Sequence, residues 1–100
     1  MYVSRLSFHT RPGHTEEVAQ RLRELADMVA ATGGKRPRIL RVSMASPGAP
    51  DLQFEQEMES LAELEREMSG VTDQERFRQW SQQVSQLVVC PPKREILLVE

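Results

Sequence analysis

The fold is decided by the stretch LQFEQEMESLAEL, residues 52–64. In its first half, Leu52, Phe54 and Met58 alternate with polar residues, which is the period of a strand with one buried face. Its second half contains Ser60-Leu61-Ala62-Glu63, the pattern of a capping box, in which a serine hydroxyl and a glutamate carboxylate satisfy backbone N–H groups at a helix start. The stretch therefore predicts a strand that passes directly into a helix.

Upstream of this stretch, a second alternating segment runs from Arg38 to Ala45. A proline- and glycine-containing turn, residues 46–50, separates it from the strand that begins at Leu52. Two alternating segments joined by a short turn are typical of an antiparallel hairpin. The alternation predicts that Leu40 and Val42 face the core.

The N-terminal part of the chain predicts one more strand and one helix. Residues 2–9 alternate, and Arg11-Pro12-Gly13 then breaks the strand because proline has no N–H for the ladder. A helix with Thr15 as its predicted N-cap follows, and Gly33-Gly34 ends it.

Downstream of the deciding stretch, the sequence predicts a broken helix and a final strand. The first helical piece runs from Leu61 to Met68, and the second from Asp73 to Val88 behind a second capping box, Thr72-Asp73-Gln74-Glu75. Pro91-Pro92 stops the helix, and Glu95 to Val99 forms the last strand.

The predicted order is β-α-β-β-α-β, which is the α+β, ferredoxin-like arrangement of a four-stranded antiparallel sheet with its helices on one face. The helix-facing side is predicted to carry Leu6, Phe8, Leu40, Val42, Leu52 and Phe54. The opposite side is predicted to carry Val3, Arg5, Ser7, His9, Ile39, Arg41, Ser43, Gln53, Glu55 and Glu57.

Composition limits the classes of protein that fit. One hundred residues make one domain, 1–100, and the apolar content is a little below that of typical soluble domains. A net charge of −2 argues against general nucleic-acid binding. No apolar run exceeds four residues and no signal-peptide core is present, so we expect no membrane segment and a cytoplasmic location. A single cysteine, Cys90, excludes an internal disulfide.

The last strand carries apolar residues on both of its faces, with Ile96 and Leu98 on one and Leu97 and Val99 on the other. Strands of this kind are buried on both sides. The pattern predicts a homodimer in which a second sheet covers the face without helices.

In this order and in three local features, the chain resembles the dimeric α/β-barrel superfamily of ferredoxin-like proteins. The features are Arg11-Pro12-Gly13-His14 after the first strand, the run from Phe54 to Leu64, and the helix bearing Trp80 before a terminal strand. The middle run is most similar to the NIPSNAP-type branch, and a second relative is the antibiotic-biosynthesis-monooxygenase branch. The haem-degrading members use an asparagine, and this sequence has none. No cofactor is expected.

The sharpest candidate site is the sheet face without helices. If a second subunit encloses it, His9 is the predicted general acid or base, Arg41 the group that holds an anionic oxygen, and Glu55 the group that orients the imidazole. Arg5 is an alternative anion-binding residue. The site residues assigned to substrate binding are Arg5, Ser7, Ser43 and Trp80.

Each assignment has a structural alternative. The charged face is also compatible with a solvated surface or a charge-matched interface, and the helical spacing of Trp80 with Phe77 and Val84 favours core packing. His9 and His14 straddle a Pro-Gly turn, a poor spacing for metal ligands, so no metal site is expected.

Two functions follow from the resemblance. The first is a homodimer that binds a small organic ligand and resembles cofactor-independent monooxygenases, in which a deprotonated substrate itself reduces O₂. The second is a non-catalytic, NIPSNAP-like interaction or scaffold protein. A cavity of roughly 300 Å³ next to His9 is the expected mark of the first.

Overall fold

The computed structural model describes all residues, 1–100, and contains four strands and three helices. They are β1 (Tyr2–Phe8), α1 (Thr15–Ala31), β2 (Arg38–Arg41), β3 (Leu52–Met58), α2 (Leu61–Thr72), α3 (Glu75–Ser85) and β4 (Lys93–Leu98). The strands form one antiparallel sheet in the order β2-β3-β1-β4. The predicted ferredoxin-like fold is confirmed, with the second helical segment divided into α2 and α3.

The hydrophobic core lies between the helices and one side of the sheet, called here the inner face. Phe8, Leu52 and Phe54 are almost completely buried there. They pack in one cluster with the apolar stripe of α1, which includes Val18 and Leu22. The apolar residues of α1 recur at helical spacing, so they all lie on the side of the helix that faces the sheet.

The capping box at Ser60 is confirmed. The Ser60 hydroxyl accepts a hydrogen bond from the backbone N–H of Glu63 at 3.1 Å. The Glu63 carboxylate accepts one from the backbone N–H of Glu59 at 2.9 Å. These two bonds stabilise the start of α2, and only two residues separate it from the end of β3, as the pattern of residues 52–64 predicts.

The second predicted capping box is wrong. Helix α2 runs through Gly70 to Thr72, whose hydroxyl donates to the carbonyl of Met68, and α3 starts behind Gln74 without a side-chain cap. A Cβ on Gly70 would lie 3.5 Å from the methyl group of Thr32. Gly70 therefore lies within α2, near the end of α1, and does not end the helix.

Two other helix boundaries also differ from the prediction. His14, not Thr15, precedes α1, and the Thr15 hydroxyl shares a hydrogen bond with the Thr10 hydroxyl. Helix α3 ends at Ser85 because the following backbone pairs with the continuation of β1: the N–H of Val89 donates to the carbonyl of His9 at 2.8 Å.

The predicted facing of β2 is also wrong. Ile39 lies opposite Phe54, and residues directly opposite each other in an antiparallel pair share a face. Ile39 and Arg41 are therefore on the inner face, and Leu40 is on the other, 36% exposed. The strand ends at Arg41, so the alternation of Leu40 with Val42 and Met44 is not the alternation of one strand.

Candidate functional site

The sheet side without helices, called here the outer face, is centred on Glu55. Its carboxylate is only 2% exposed, although no helix covers it. It accepts hydrogen bonds from Arg5 Nε at 2.6 Å and from Arg38 Nη2 at 2.7 Å. Arg5 lies on β1 and Arg38 on β2, so the cluster joins three neighbouring strands.

The two arginines determine the charge state of Glu55. Burial raises the pKa of this carboxyl, but the hydrogen bonds and charges of Arg38 and Arg5 outweigh burial and hold the pKa below its ordinary value. Glu55 is consequently ionised and fully engaged at neutral pH. A carboxylate in this state is a weak proton acceptor, so the cluster is a structural ion network rather than an acid–base group.

The structure does not bring His9 and Glu55 together. Arg5 is the residue opposite Glu55, and His9 lies four residues further along the chain, about 13 Å away at the rise of a strand. Both oxygens of Glu55 are occupied by the arginines. Within one subunit, Glu55 therefore does not contact the His9 imidazole, and its orienting role stays a prediction that concerns the dimer.

Arg41 is on the opposite side of the sheet from the site predicted for it. Its guanidinium pairs with Glu16 of α1 at 2.5 Å. It can do so because Arg41 is on the inner face of β2, the side that α1 covers. Arg38 occupies the outer-face position instead. Sequence reasoning missed Arg38 because it belongs to a basic run, residues 35–38, that is typical of a solvated loop.

Only one of the two predicted serines lies in the sheet. Ser7 lies on the outer face between Gln53 and Lys93 and is nearly buried. Ser43 lies in the loop after β2 and is exposed. Only Arg5, Ser7 and Glu55 of the predicted site thus share the outer face of the sheet strands.

An apolar concavity lies on the inner face, between the sheet and the helices, and is called here the inner pocket. Its volume is about 260 Å³. Most of its wall is apolar, with Leu6 and Phe54 from the sheet and Val71 and Phe77 from the helices. Pro92 and Arg94 line it at β4, the edge strand, so the pocket is a cleft at the side of the domain.

Trp80 forms part of the wall of the inner pocket and is also a core residue. It is 7% exposed, and its indole N–H donates to the carbonyl of Arg21 in α1. Its ring stacks on Phe77 with centroids 5.6 Å apart. The indole is therefore fixed by α1 and α3 and presents a preformed aromatic surface to the pocket.

Two ionisable side chains line the inner pocket, and burial shifts the pKa of each towards its neutral form. Burial, with a smaller contribution from Glu63, raises the pKa of the Glu67 carboxyl. Burial lowers the pKa of the Arg94 guanidinium, although the side chain as a whole is exposed at the sheet edge. Both groups therefore lie against the mostly apolar wall of the pocket.

No group of three His, Cys, Asp or Glu side chains is arranged to hold a metal ion.

None of the three helices has the length and apolar content that crossing a membrane requires.

Comparison with known proteins identifies the fold. The sequence matches no protein-family model and no curated protein. A NIPSNAP-like domain protein from Burkholderia xenovorans superposes with a TM-score of 0.79 at 16% identity, covering 99% of this chain and 84% of that one. A putative antibiotic biosynthesis monooxygenase from Nitrosomonas europaea gives 0.72 at 15% identity, covering 99% and 98%. A NIPSNAP family protein from Agrobacterium tumefaciens gives 0.72 at 17% identity, covering 99% and 92%. The chain therefore has the ferredoxin-like fold of the NIPSNAP-like and antibiotic biosynthesis monooxygenase structures, as its sequence motifs predict.

Proposed function

We propose that this protein is a homodimer that binds a small organic molecule in the inner pocket of each subunit. The observation that carries the proposal is the pocket itself: a preformed, mostly apolar cleft of about 260 Å³ with a few polar groups in its wall. Such clefts are the usual form of small-molecule sites. The similarity to a putative antibiotic biosynthesis monooxygenase supports a pocket for an organic compound.

Binding is proposed as the primary function because the groups expected to perform chemistry do not line the inner pocket. His9, Arg41 and Glu55 are all absent from its wall. Glu67 is the one carboxyl that lines it, and a raised pKa suits a group that exchanges protons. In an oxygenase of the cofactor-independent type, Glu67 would therefore be the base. The catalytic site predicted around His9 requires a second subunit to enclose it, so it remains a prediction about the dimer.

Exposed apolar residues on the outer face support the homodimer. Leu40 of β2 is 36% exposed, and Val99, which follows β4, is 47% exposed. A two-fold interface must be complementary to itself, and the outer face carries cations such as Arg5 and Lys93 beside anions such as Glu57 and Glu95. A second copy of the chain is thus the partner that fits this surface.

Light scattering checks the assembly. We expect a mass twice the 11.5 kDa of one chain at micromolar concentration. The double variant Leu40→Lys/Val99→Lys places like charges on the outer face and should give monomers. Met44→Lys is the control, because Met44 is almost fully exposed in a loop outside the sheet. A monomeric wild-type protein would contradict the homodimer.

Binding is measured through Trp80, the only tryptophan of the chain. Titration with octanamide, a neutral apolar probe, should change Trp80 fluorescence saturably. Ser81→Phe adds a ring at an exposed position of the pocket wall and should weaken binding about tenfold or more. Gln82→Phe adds the same ring to the exposed neighbour outside the wall and should bind like the wild type.

The second candidate is a non-catalytic, NIPSNAP-like interaction protein. The ion pairs of Glu55 with Arg5 and Arg38 favour an interaction protein, because they leave no unpaired carboxylate at the centre of the outer face to react with a substrate. A dimer whose Trp80 fluorescence responds to no probe would support this function over ligand binding.

A further inference from the structure

Arg94 has an unusual position for an arginine. It lies on β4 opposite Leu6, so its side chain is on the inner face, in the wall of the inner pocket. Its guanidinium donates to the Ser4 hydroxyl at 3.3 Å and to the Met68 sulfur at 3.0 Å. Both acceptors are neutral, and thioether sulfur is a weak one.

Most other cations near the sheet have a carboxylate partner. Arg5 and Arg38 pair with Glu55, Arg41 with Glu16, and Lys35 with Glu57. Arg94 forms no salt bridge, although Glu67 lines the same pocket. The charges that act on Glu67 are those of Glu63 and Arg66 and not that of Arg94, so the two pocket groups do not neutralise each other.

The Arg94 guanidinium thus lies beside an apolar pocket with neutral acceptors only, and an anion in that pocket would supply the counterion that it lacks. The planar fork of arginine matches a carboxylate with two parallel hydrogen bonds. The indole N–H of Trp80 is already bound to the Arg21 carbonyl and is not available to a ligand. Charge recognition in the inner pocket therefore depends on Arg94.

We propose that Arg94 binds the carboxylate of an amphipathic organic acid whose apolar body fills the inner pocket. The inference rests on the proposed function and specifies the ligand class for that site. The carboxylate lies at the open side of the pocket, at the sheet edge. The apolar body packs against Phe54, Val71 and Phe77, which line the wall.

The test compares two probes of the same length, octanoate and octanamide, by Trp80 fluorescence in the purified wild-type dimer. Octanoate should bind about tenfold or more tightly than octanamide, the magnitude of a charge-assisted hydrogen bond. Arg94→Gln should remove this preference, so that octanoate and octanamide bind the variant with equal affinity. Arg94→Lys, which keeps the charge without the planar fork, should retain part of the preference.

Lys93→Gln is the matched control. Lys93 is the neighbour of Arg94 on β4, but it lies opposite Ser7 and therefore on the outer face. Its replacement removes the same unit of charge and should keep the preference for octanoate. Thermal unfolding of each variant confirms that the fold is intact.

The possible results separate this inference from the proposed function. Equal binding of octanoate and octanamide by the wild type overturns the role of Arg94 while leaving the pocket as a ligand site. A preference that survives Arg94→Gln also overturns it. A lack of binding by both probes overturns the proposed function itself and this inference with it.

Discussion

Replacing Trp80 by alanine is expected to lower the free energy of unfolding by about 3–5 kcal/mol, the usual cost of truncating a large buried ring. The indole is 7% exposed, stacks on Phe77 and donates to the carbonyl of Arg21, so the variant loses packing between α1 and α3 and leaves that carbonyl without its side-chain donor. Urea unfolding followed by circular dichroism measures the change.

Trp80→Phe separates the two contributions. It keeps an aromatic ring against Phe77 and removes the N–H, so we expect a smaller loss of about 1–2 kcal/mol. If Trp80→Ala were as stable as the wild type, Trp80 would not be a core residue. Its role in the pocket wall would then be ligand binding alone.

Glu55→Gln is expected to destabilise the fold by about 2 kcal/mol. This is less than the 3–5 kcal/mol typical of breaking a buried ion pair, because Arg5 and Arg38 both reach water and can be solvated when the carboxylate is lost. Glu57→Gln is the control: it lies two residues along the same face and pairs with the exposed Lys35, so we expect little change.

The pH dependence gives an independent check on Glu55. Its pKa is lower in the folded protein than the ordinary value of 4.5, so its ion network stabilises the fold above pH 4.5 and loses this contribution as the pH falls below it. The stability difference between wild type and Glu55→Gln should therefore shrink on acidification below pH 4.5. A difference that stays constant down to acid pH would show that the carboxylate charge contributes nothing.

Local sequence signals predicted most of the fold because the interactions that define the elements are local. The capping box at Ser60 needs only residues within four positions of one another, and the alternation of β3 needs only its own side chains. The wrongly predicted helix boundaries occur where contacts with a distant segment determine the structure. Gly70 looks like a helix end, but α2 continues through it to Thr72 beside the end of α1. Helix α3 ends early because its continuation pairs with the end of β1.

The candidate site was harder to predict than the fold. Glu55 and Arg5 were recognised as outer-face residues because their strands alternate clearly. Arg38 was missed and Arg41 misplaced because β2 has only four residues, and a strand this short has too few side chains to reveal its phase. The inner pocket was not predicted, since its wall combines residues from β1, β3, β4 and all three helices.

The order of the elements and the buried face of β3 follow from the amino-acid sequence, because each depends on periodicity and capping within one segment. The contacts between charged side chains depend instead on how the strands pair. The register of β2 against β3 places Arg38 rather than Arg41 beside Glu55, and the position of β4 at the sheet edge leaves Arg94 beside an apolar pocket without a carboxylate partner. Register and strand order are set by contacts between distant segments, and a one-residue change in register moves every side chain to the other face.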